Sequence, residues 1–488
     1  MPDPKPCHSF GGALSLRAAN RRRMATHKTA DFLAGVIEGF YGAPWSAGER
    51  VELFDWMVNW GLNSYLYAPK DDLKQRLLWR ELYGKAETAQ FAELIQACHQ
   101  RNIRFIYALS PGLDIRYSDQ TDLDHLRQRC AQILALGGRH FALLFDDIPD
   151  HLEASAVQRW GCLAAAQAHV TNELSRWASQ RQPDTRFLFC PTPYCGRMAE
   201  CKLGGEGYLT ILGQTLDPNI DVFWTGPEII SPEIPVASIQ DLHKLLHRKP
   251  IIWDNLHAND YDGHRFFCGP YAGRLPALRQ EVNGLLINPN CEFPLNYVPL
   301  RTFGEFLCCQ GCWEPRAAYL AAVQEWWTRF ATAGSPLDLR DLTLFADAYY
   351  LPFEEGPEAQ ALYRMARELL SQPPSRWGAQ AARFREQTTR LRAFCARLPE
   401  LRDRPLFHAL SRRAWELREE LDLLERYVEF KSAPDHQDRP FRSDSHLPGT
   451  CRGGLVAQLQ GLLRFQTDGT IAPPSVSPPI EPRAKPCS

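Results

Sequence analysis

From residue 35 onward the chain alternates between two kinds of stretch. Short apolar runs recur at "GVIEGFYG" (35–42), "NSYLYAPK" (63–70), "RFIYALSP" (104–111), "FALLFDD" (141–147), "FLFCPTPY" (187–194), "DVFWTGP" (221–227), "PIIWDN" (250–255) and "GLLINPN" (284–290). Between them lie amphipathic stretches, among them 48–60, 87–101, 122–136 and 155–180. In the last, Val157, Trp160, Leu163, Ala164, Val170, Leu174 and Trp177 recur at helical spacing, with Gln167 interrupting the stripe. Strand-length runs separated by helix-length crossovers predict parallel pairing, because parallel strands cannot be joined by a tight turn. Eight such units close a (β/α)8 TIM barrel, so an α/β fold is expected over 31–304. The glycine-bearing stretch 198–216 is the weakest crossover.

Beyond residue 305 the apolar spacing becomes helical throughout. "PRAAYLAAVQEWWTRF", 358–371, 378–397 and 404–431 read as helices, and Leu410, Ala414, Leu417, Leu421, Leu424 and Val428 fall on one face of the last. An antiparallel helical bundle is expected over 305–432, with Pro-bearing turns at "SQPPS" and "RLPELRDRP" and with Trp326 and Trp327 in its core. Residues 433–488 read as an irregular tail in which "GGLVAQLQGLL" adds a short helix and 471–488 is Pro-rich and disordered. Residues 1–30 are Arg-rich, poor in acids and without a secretory apolar region; they read as a flexible extension, with Met24 a candidate start.

Each strand-like run ends in polar or aromatic residues: Glu38 to Tyr41, Lys70 to Asp72, Ser110, Asp146 and Asp147, Tyr194, Trp224 and Thr225, Asp254 and Asn255, Asn288 and Asn290. One or two could cap helices or start turns. Eight sets together point to a site, since barrel active sites lie at the C-terminal strand ends. Adjacent Asp146 and Asp147 raise a directional problem, because neighbouring strand residues face opposite ways. Such a pair suits a divalent metal, for which Asp260 and His257 are the nearest further ligands, or acid–base chemistry between carboxyls whose pKa values differ. Lys70 could be a solvated loop lysine, Asp71 and Asp72 read as a helix N-terminus, and His257 as a hydrogen-bonded loop residue.

Composition narrows the partners. A net charge of −2 and a pI near 6.7 over 488 residues leave no electrostatic footprint for nucleic acid. No run approaches the ~18 apolar residues of a membrane span. Fifteen cysteines, an odd number scattered through the elements, favour a reduced, cytoplasmic setting. The one C-x-x-C pair, Cys309 and Cys312, lacks two further zinc ligands nearby and reads as packing thiols. Trp and Tyr walls beside Asn, Asp and Lys donors and acceptors suit a neutral sugar, with its apolar faces and rim of hydroxyls.

The motifs "VIEGFYGAPW" (36–45), "YLYAPKDD" (65–72), "ALSPGLDI" (108–115), "LLFDDI" (143–148), "FCPTPYC" (189–195), "WTGP" (224–227), "WDNLHANDY" (253–261) and "NPNCEF" (288–293) resemble glycoside hydrolase family 84, the protein O-GlcNAcases and bacterial β-N-acetylglucosaminidases. The resemblance runs in order across roughly 35–300. It implies a retaining, substrate-assisted mechanism, in which the substrate's acetamido oxygen attacks the anomeric carbon and forms an oxazoline. By the same resemblance Asp146 orients the acetamide, and Asp147 protonates the leaving oxygen and later deprotonates water. Gly39 would offer a backbone carbonyl to the sugar, and Lys70, Asp260 and Asn290 would bind its hydroxyls. Asn255 and Tyr194 would lie near the acetamide and the reacting centre, with Trp253 a wall of the acetyl pocket. Pro193 departs from the acidic residue expected before the Tyr, which bears on peptide-side contacts. No cofactor or metal is implied. The implied partner is a GlcNAc-bearing glycoprotein or glycan, in the bacterial arrangement without an acetyltransferase-like domain, and the bundle suggests a homodimer. A non-catalytic GlcNAc-binding barrel and a metal-dependent barrel hydrolase are the alternatives.

Overall fold

The computed structural model describes residues 32–443 and 451–474; the N-terminal extension and residues 475–488 of the Pro-rich tail lie outside the described residues. Eight strands carry the barrel: β1 (Leu33–Glu38), β2 (Ser64–Tyr67), β3 (Arg104–Leu109), β4 (His140–Leu144), β5 (Phe187–Cys190), β6 (Asp221–Trp224), β7 (Ile251–Asp254) and β8 (Gly284–Ile287). Each pairs in parallel with the next, and β8 returns to β1 with Leu33 opposite Gly284, which closes the sheet. Alternate residues divide between two apolar environments. Leu33, Ile37, Leu66, Ile106, Ala142, Leu144, Leu188, Phe223, Ile251, Trp253 and Leu286 pack together in the lumen. Val36, Tyr65, Tyr67, Phe105, Tyr107, Phe141, Leu143, Val222 and Ile252 face the helical shell. Strands covered on both faces read as continuous apolar runs, which is why the eight were legible.

The shell begins with α1 (Ala47–Trp60), started by a capping box between Ser46 and Glu49 and stopped by Gly61 at φ 74°. It continues through α2 (Lys85–Gln100), α3 (Gln120–Ala135), α4 (Ala154–Trp160), α5 (Leu163–Arg181), α6 (Gly196–Glu200), α7 (Tyr208–Thr215), α8 (Val236–Leu246) and α9 (Leu278–Glu281). The single helix expected over 155–180 is two, because Gly161 turns left-handed at φ 78° between α4 and α5. Val157 is consequently exposed. Gln167 is fully buried and donates to the Thr192 hydroxyl at 2.9 Å, so the break in the apolar stripe is a satisfied polar group. The weak crossover 198–216 is built from short α6 and α7. Asp71 and Asp72 start no helix; the chain turns from Lys70 to Gly84, and the Asp72 carboxylate accepts from the Tyr67 and Tyr83 hydroxyls at 2.9 and 2.7 Å.

Helices then take over: α10 (Tyr297–Cys308), α11 (Pro315–Trp326), α12 (Leu339–Asp347), α13 (Pro357–Leu370), α14 (Gly378–Arg397) and α15 (Arg404–Ser432). The first of these runs through residues 304 and 305 and packs on both α1 and α11, so barrel and bundle share a helix at their join. The face of α15 read from the sequence is buried along its length, from Leu410 to Val428. Trp326 is fully buried, and half-buried Trp327 donates Nε1–H to the Leu337 carbonyl at 2.8 Å. After the bundle come α16 (Gly454–Gln460), within "GGLVAQLQGLL", and a hairpin of β9 (Arg464–Phe465) and β10 (Ile471–Ala472). Among the described residues no helix is long and apolar enough to cross a membrane.

Candidate active site

The lumen-facing register continues past the strand ends and sets the floor of the cleft. Counting in twos, Ile37 leads to Gly39, Ala68 to Lys70, Leu144 to Asp146, Trp253 to Asn255, and Leu286 to Asn288. By that count Asp147 would point into the shell. Instead β4 ends at Leu144, its last ladder bond runs from the Phe145 N–H to the Cys190 carbonyl at 3.0 Å, and Asp147 turns left-handed at φ 50°. Asp enters this region more readily than most side chains, at a cost of roughly 1–3 kcal/mol. The turn brings both carboxylates to one cleft.

Their surroundings differ. Lys70 Nζ donates to Asp146 Oδ2 at 2.5 Å, with both side chains largely buried. Burial acts to raise the Asp146 pKa, but the Lys70 charge and hydrogen bond, with Arg76 behind them, hold it below the usual carboxylate range. Asp146 Oδ1 is buried and has no partner among the described residues. A buried carboxylate oxygen in that state is an acceptor awaiting a donor. Asp147 is exposed; its Oδ1 accepts from the Tyr194 hydroxyl at 2.8 Å and its Oδ2 from the Tyr41 hydroxyl at 3.1 Å. Burial, then the Asp147 charge, pushes both phenols up, so they remain donors to the carboxylate.

Trp253 forms a wall, edge-on to Phe223 at 5.4 Å, and its Nε1–H donates to Asn255 Oδ1 at 3.0 Å. A Cβ on Gly39 would lie 2.7 Å from the Trp253 ring, so the glycine is what lets that wall approach β1. Asn255 Oδ1 also accepts from Asn288 Nδ2 at 2.9 Å, and its own amide donates to the Ile229 carbonyl at 2.9 Å. Half-buried Asp260 accepts the Tyr41 N–H at 3.0 Å; burial, with Asp147 nearby, pushes its carboxyl above the ordinary range.

A family model described as beta-N-acetylglucosaminidase matches residues 34–336, more than half of the chain. The chain belongs to the beta-N-acetylglucosaminidase family. Protein O-GlcNAcase of Rattus norvegicus and that of Mus musculus are each 48% identical to it over 271 residues, covering 56% of this chain and 29% of theirs. The chain thus spans under a third of the length of these curated relatives. A mutant O-GlcNAc hydrolase of Thermobaculum terrenum superposes with a TM-score of 0.73 at 30% identity, covering 82% of this chain and 84% of that one.

Of the residues the family resemblance singled out, Gly39, Lys70, Asp146, Asp147, Tyr194, Trp253, Asn255 and Asp260 line or adjoin this one cleft. Asn290 is different: it is fully buried, and its amide bonds the Phe267 N–H at 2.7 Å, the Phe267 carbonyl at 3.0 Å and Asn296 Oδ1 at 3.0 Å. In this structure it clamps the segment after β7 that carries Asp260, with no exposed atom for a sugar hydroxyl. His257 is a buried loop residue, its Nε2 bonded to the Gly269 carbonyl at 3.0 Å and its pKa lowered to about 4 by burial. Asp254 faces the shell, paired with Arg274 at 2.7 Å and with the Tyr271 hydroxyl at 2.8 Å. Glu38 likewise turns outward to Arg50 at 2.7 Å.

The sequence placed Tyr41 and Asn288 among the strand-end residues that point to a site but gave neither a role, and Arg76 was missed altogether. The first two lie in strand-end motifs, where the count in twos brings them to the cleft. Arg76 lies in a turn with no periodicity to mark it. Among the described residues, one His/Cys/acid group has metal-ligand spacing: His264, Glu416 and Cys451, at the seam of barrel and bundle. Glu416 Oε1 already bonds Arg412 at 3.0 Å and His264 Nδ1 at 2.9 Å, and the guanidinium would repel a cation there.

Proposed function

We propose that this chain is a retaining glycoside hydrolase that removes terminal β-linked N-acetylglucosamine, with the substrate supplying its own nucleophile. The observation that carries the reading is the Asp146 carboxylate, with one oxygen held by Lys70 and the other buried and open. The substrate's acetamide N–H donates to Oδ1, which aligns the acetamide oxygen with the anomeric carbon. As that oxygen bonds to the carbon, the glycosidic bond breaks, and Asp147 gives its proton to the departing oxygen. The Asp146 anion stabilises the positive charge on the oxazoline nitrogen. Asp147 then takes a proton from water, whose oxygen attacks the anomeric carbon and reopens the ring with overall retention. Ordinary retaining enzymes use one carboxylate as the nucleophile. Asp146 is poorly suited to that role, because a depressed pKa and a tight ammonium pair lower its nucleophilicity. Trp253 packs against the acetyl methyl, and Asp260 accepts from sugar hydroxyls.

The substrate is a GlcNAc-bearing glycoprotein, cleaved at O-linked Ser or Thr. This is supported by the O-GlcNAc-directed relatives and by the exposure of Asp147 at the cleft mouth, where the leaving side chain must sit. Comparing kcat/KM on an O-GlcNAc peptide and on a chitin disaccharide tests it. The peptide is expected to be the better substrate; a preference for the disaccharide would assign the chain to glycan fragments instead. A non-catalytic binding barrel is disfavoured by the strained turn at Asp147, since holding GlcNAc needs no second carboxylate at the leaving-group side.

A further inference from the structure

We infer that Arg76 is a positioning residue for the acid–base carboxyl: it holds the left-handed turn that presents Asp147 to the leaving group. The inference rests on the reading of Asp147 as the acid. Arg76 Nη2 donates to the Asp147 carbonyl at 2.8 Å. That carbonyl lies past the end of the β4 ladder, where the left-handed backbone has rotated it away from strand geometry. A charged donor to a carbonyl is among the stronger hydrogen bonds, and it offsets part of the cost of the positive φ.

The grip has a rigid base. Arg76 is buried, and the turn that carries it is fastened on several sides. Gln75 and Ser110 bond twice, side chain to side chain and backbone to backbone, both at 2.9 Å. Arg129 Nη1 donates to the Lys74 carbonyl at 2.8 Å, and fully buried Trp79 donates to Asp114 at 2.7 Å. A fixed turn after β2 therefore sets the backbone of a residue after β4. The carboxylate of Asp147 is held separately, by Tyr41 and Tyr194. Arg76 also lies 6.0 Å from the centre of the Tyr41 ring, so it borders one of those two donors. Among the described residues its buried Nη1 has no hydrogen-bond partner and no carboxylate pairs with the guanidinium, so its charge acts on the cleft. That charge is one of those that favour the ionised form of Asp146.

A residue acting through the general acid should matter most when the leaving group needs a proton. The test is kcat/KM of Arg76→Ala and Arg76→Lys in the full chain, over aryl N-acetyl-β-glucosaminides from unsubstituted phenyl to dinitrophenyl. Arg76→Ala is expected to lose at least about 10-fold more on the phenyl than on the dinitrophenyl substrate, as general-acid contributions of 10²–10⁴ allow. Arg76→Lys, which keeps one donor and the charge, should fall between the variant and the parent. The ratio of the two substrates does not depend on how much of each preparation is folded. An equal loss on every substrate, or no loss, would overturn the inference. Asp147→Ala in the same series separates the two readings. If it shows leaving-group dependence and Arg76→Ala does not, only the role of Arg76 falls; if Asp147→Ala shows none, the acid assignment falls and this inference with it.

Discussion

Asp147→Ala is expected to cut kcat/KM for a substrate with a poor leaving group by about 10²–10⁴-fold, the range spanned by general acid catalysis. With a dinitrophenyl aglycone, which departs without a proton, most of that loss should vanish. The geometry makes the contrast sharp. Asp147 is exposed at the cleft mouth and held by two phenol donors, so its removal leaves the clamp of Lys70 on Asp146 and the Trp253 wall in place. Steady-state kinetics on the two aglycones measure it. A loss of the same size on both would remove Asp147 from the role of acid.

Asp146→Asn is expected to behave in the opposite way, with a loss of about 10²–10³-fold that does not depend on the aglycone. The substitution preserves shape but removes the charge that balances the oxazoline nitrogen in the proposed mechanism, and it strips Lys70 of its ion pair. The same pair is expected to set the acid limb of the pH dependence. In the proposed mechanism Asp146 has to be ionised, and Lys70 holds its pKa below the usual carboxylate range despite burial, so activity should persist to low pH and be lost as pH falls through that depressed value. Lys70→Met removes the opposing charge and leaves burial, so the acid limb of the kcat/KM profile should move to higher pH. A limb that stayed in place, or moved lower, would mean that another group sets it.

Particular residues show how far the sequence carries. The strands were legible because lumen and shell both bury them, which turns each into an unbroken apolar run. The adjacent acids were legible as an oddity. Their resolution was implicit in the pleat, since one of two neighbours had to be turned, but the left-handed φ at Asp147 is a backbone property that no side-chain pattern reports. Gly161 splitting the long crossover helix looks from sequence like one tolerated glycine. Short α12 was missed because nine residues with an Asp338 cap carry too few turns to establish a period. Asp72 reads as a helix start by chemistry, yet its carboxylate ties two tyrosine hydroxyls across a non-helical turn. Arg76 is the clearest case: its importance lies in a contact to a residue 71 positions away, and nothing local encodes it. Asn290 shows the reverse, a motif residue whose amide is engaged in clamping backbone rather than facing the cleft.

The central claim is that the substrate's acetamide, not a protein side chain, attacks the anomeric carbon. The most direct measurement compares 4-nitrophenyl N-acetyl-β-glucosaminide with 4-nitrophenyl β-glucoside, which differ at the carbon that bears the acetamide. If the acetamide is the nucleophile, 4-nitrophenol should be released from the first and hardly at all from the second, whose hydroxyl cannot form the oxazoline. Comparable rates on the two substrates would contradict the claim and return the nucleophile to the protein.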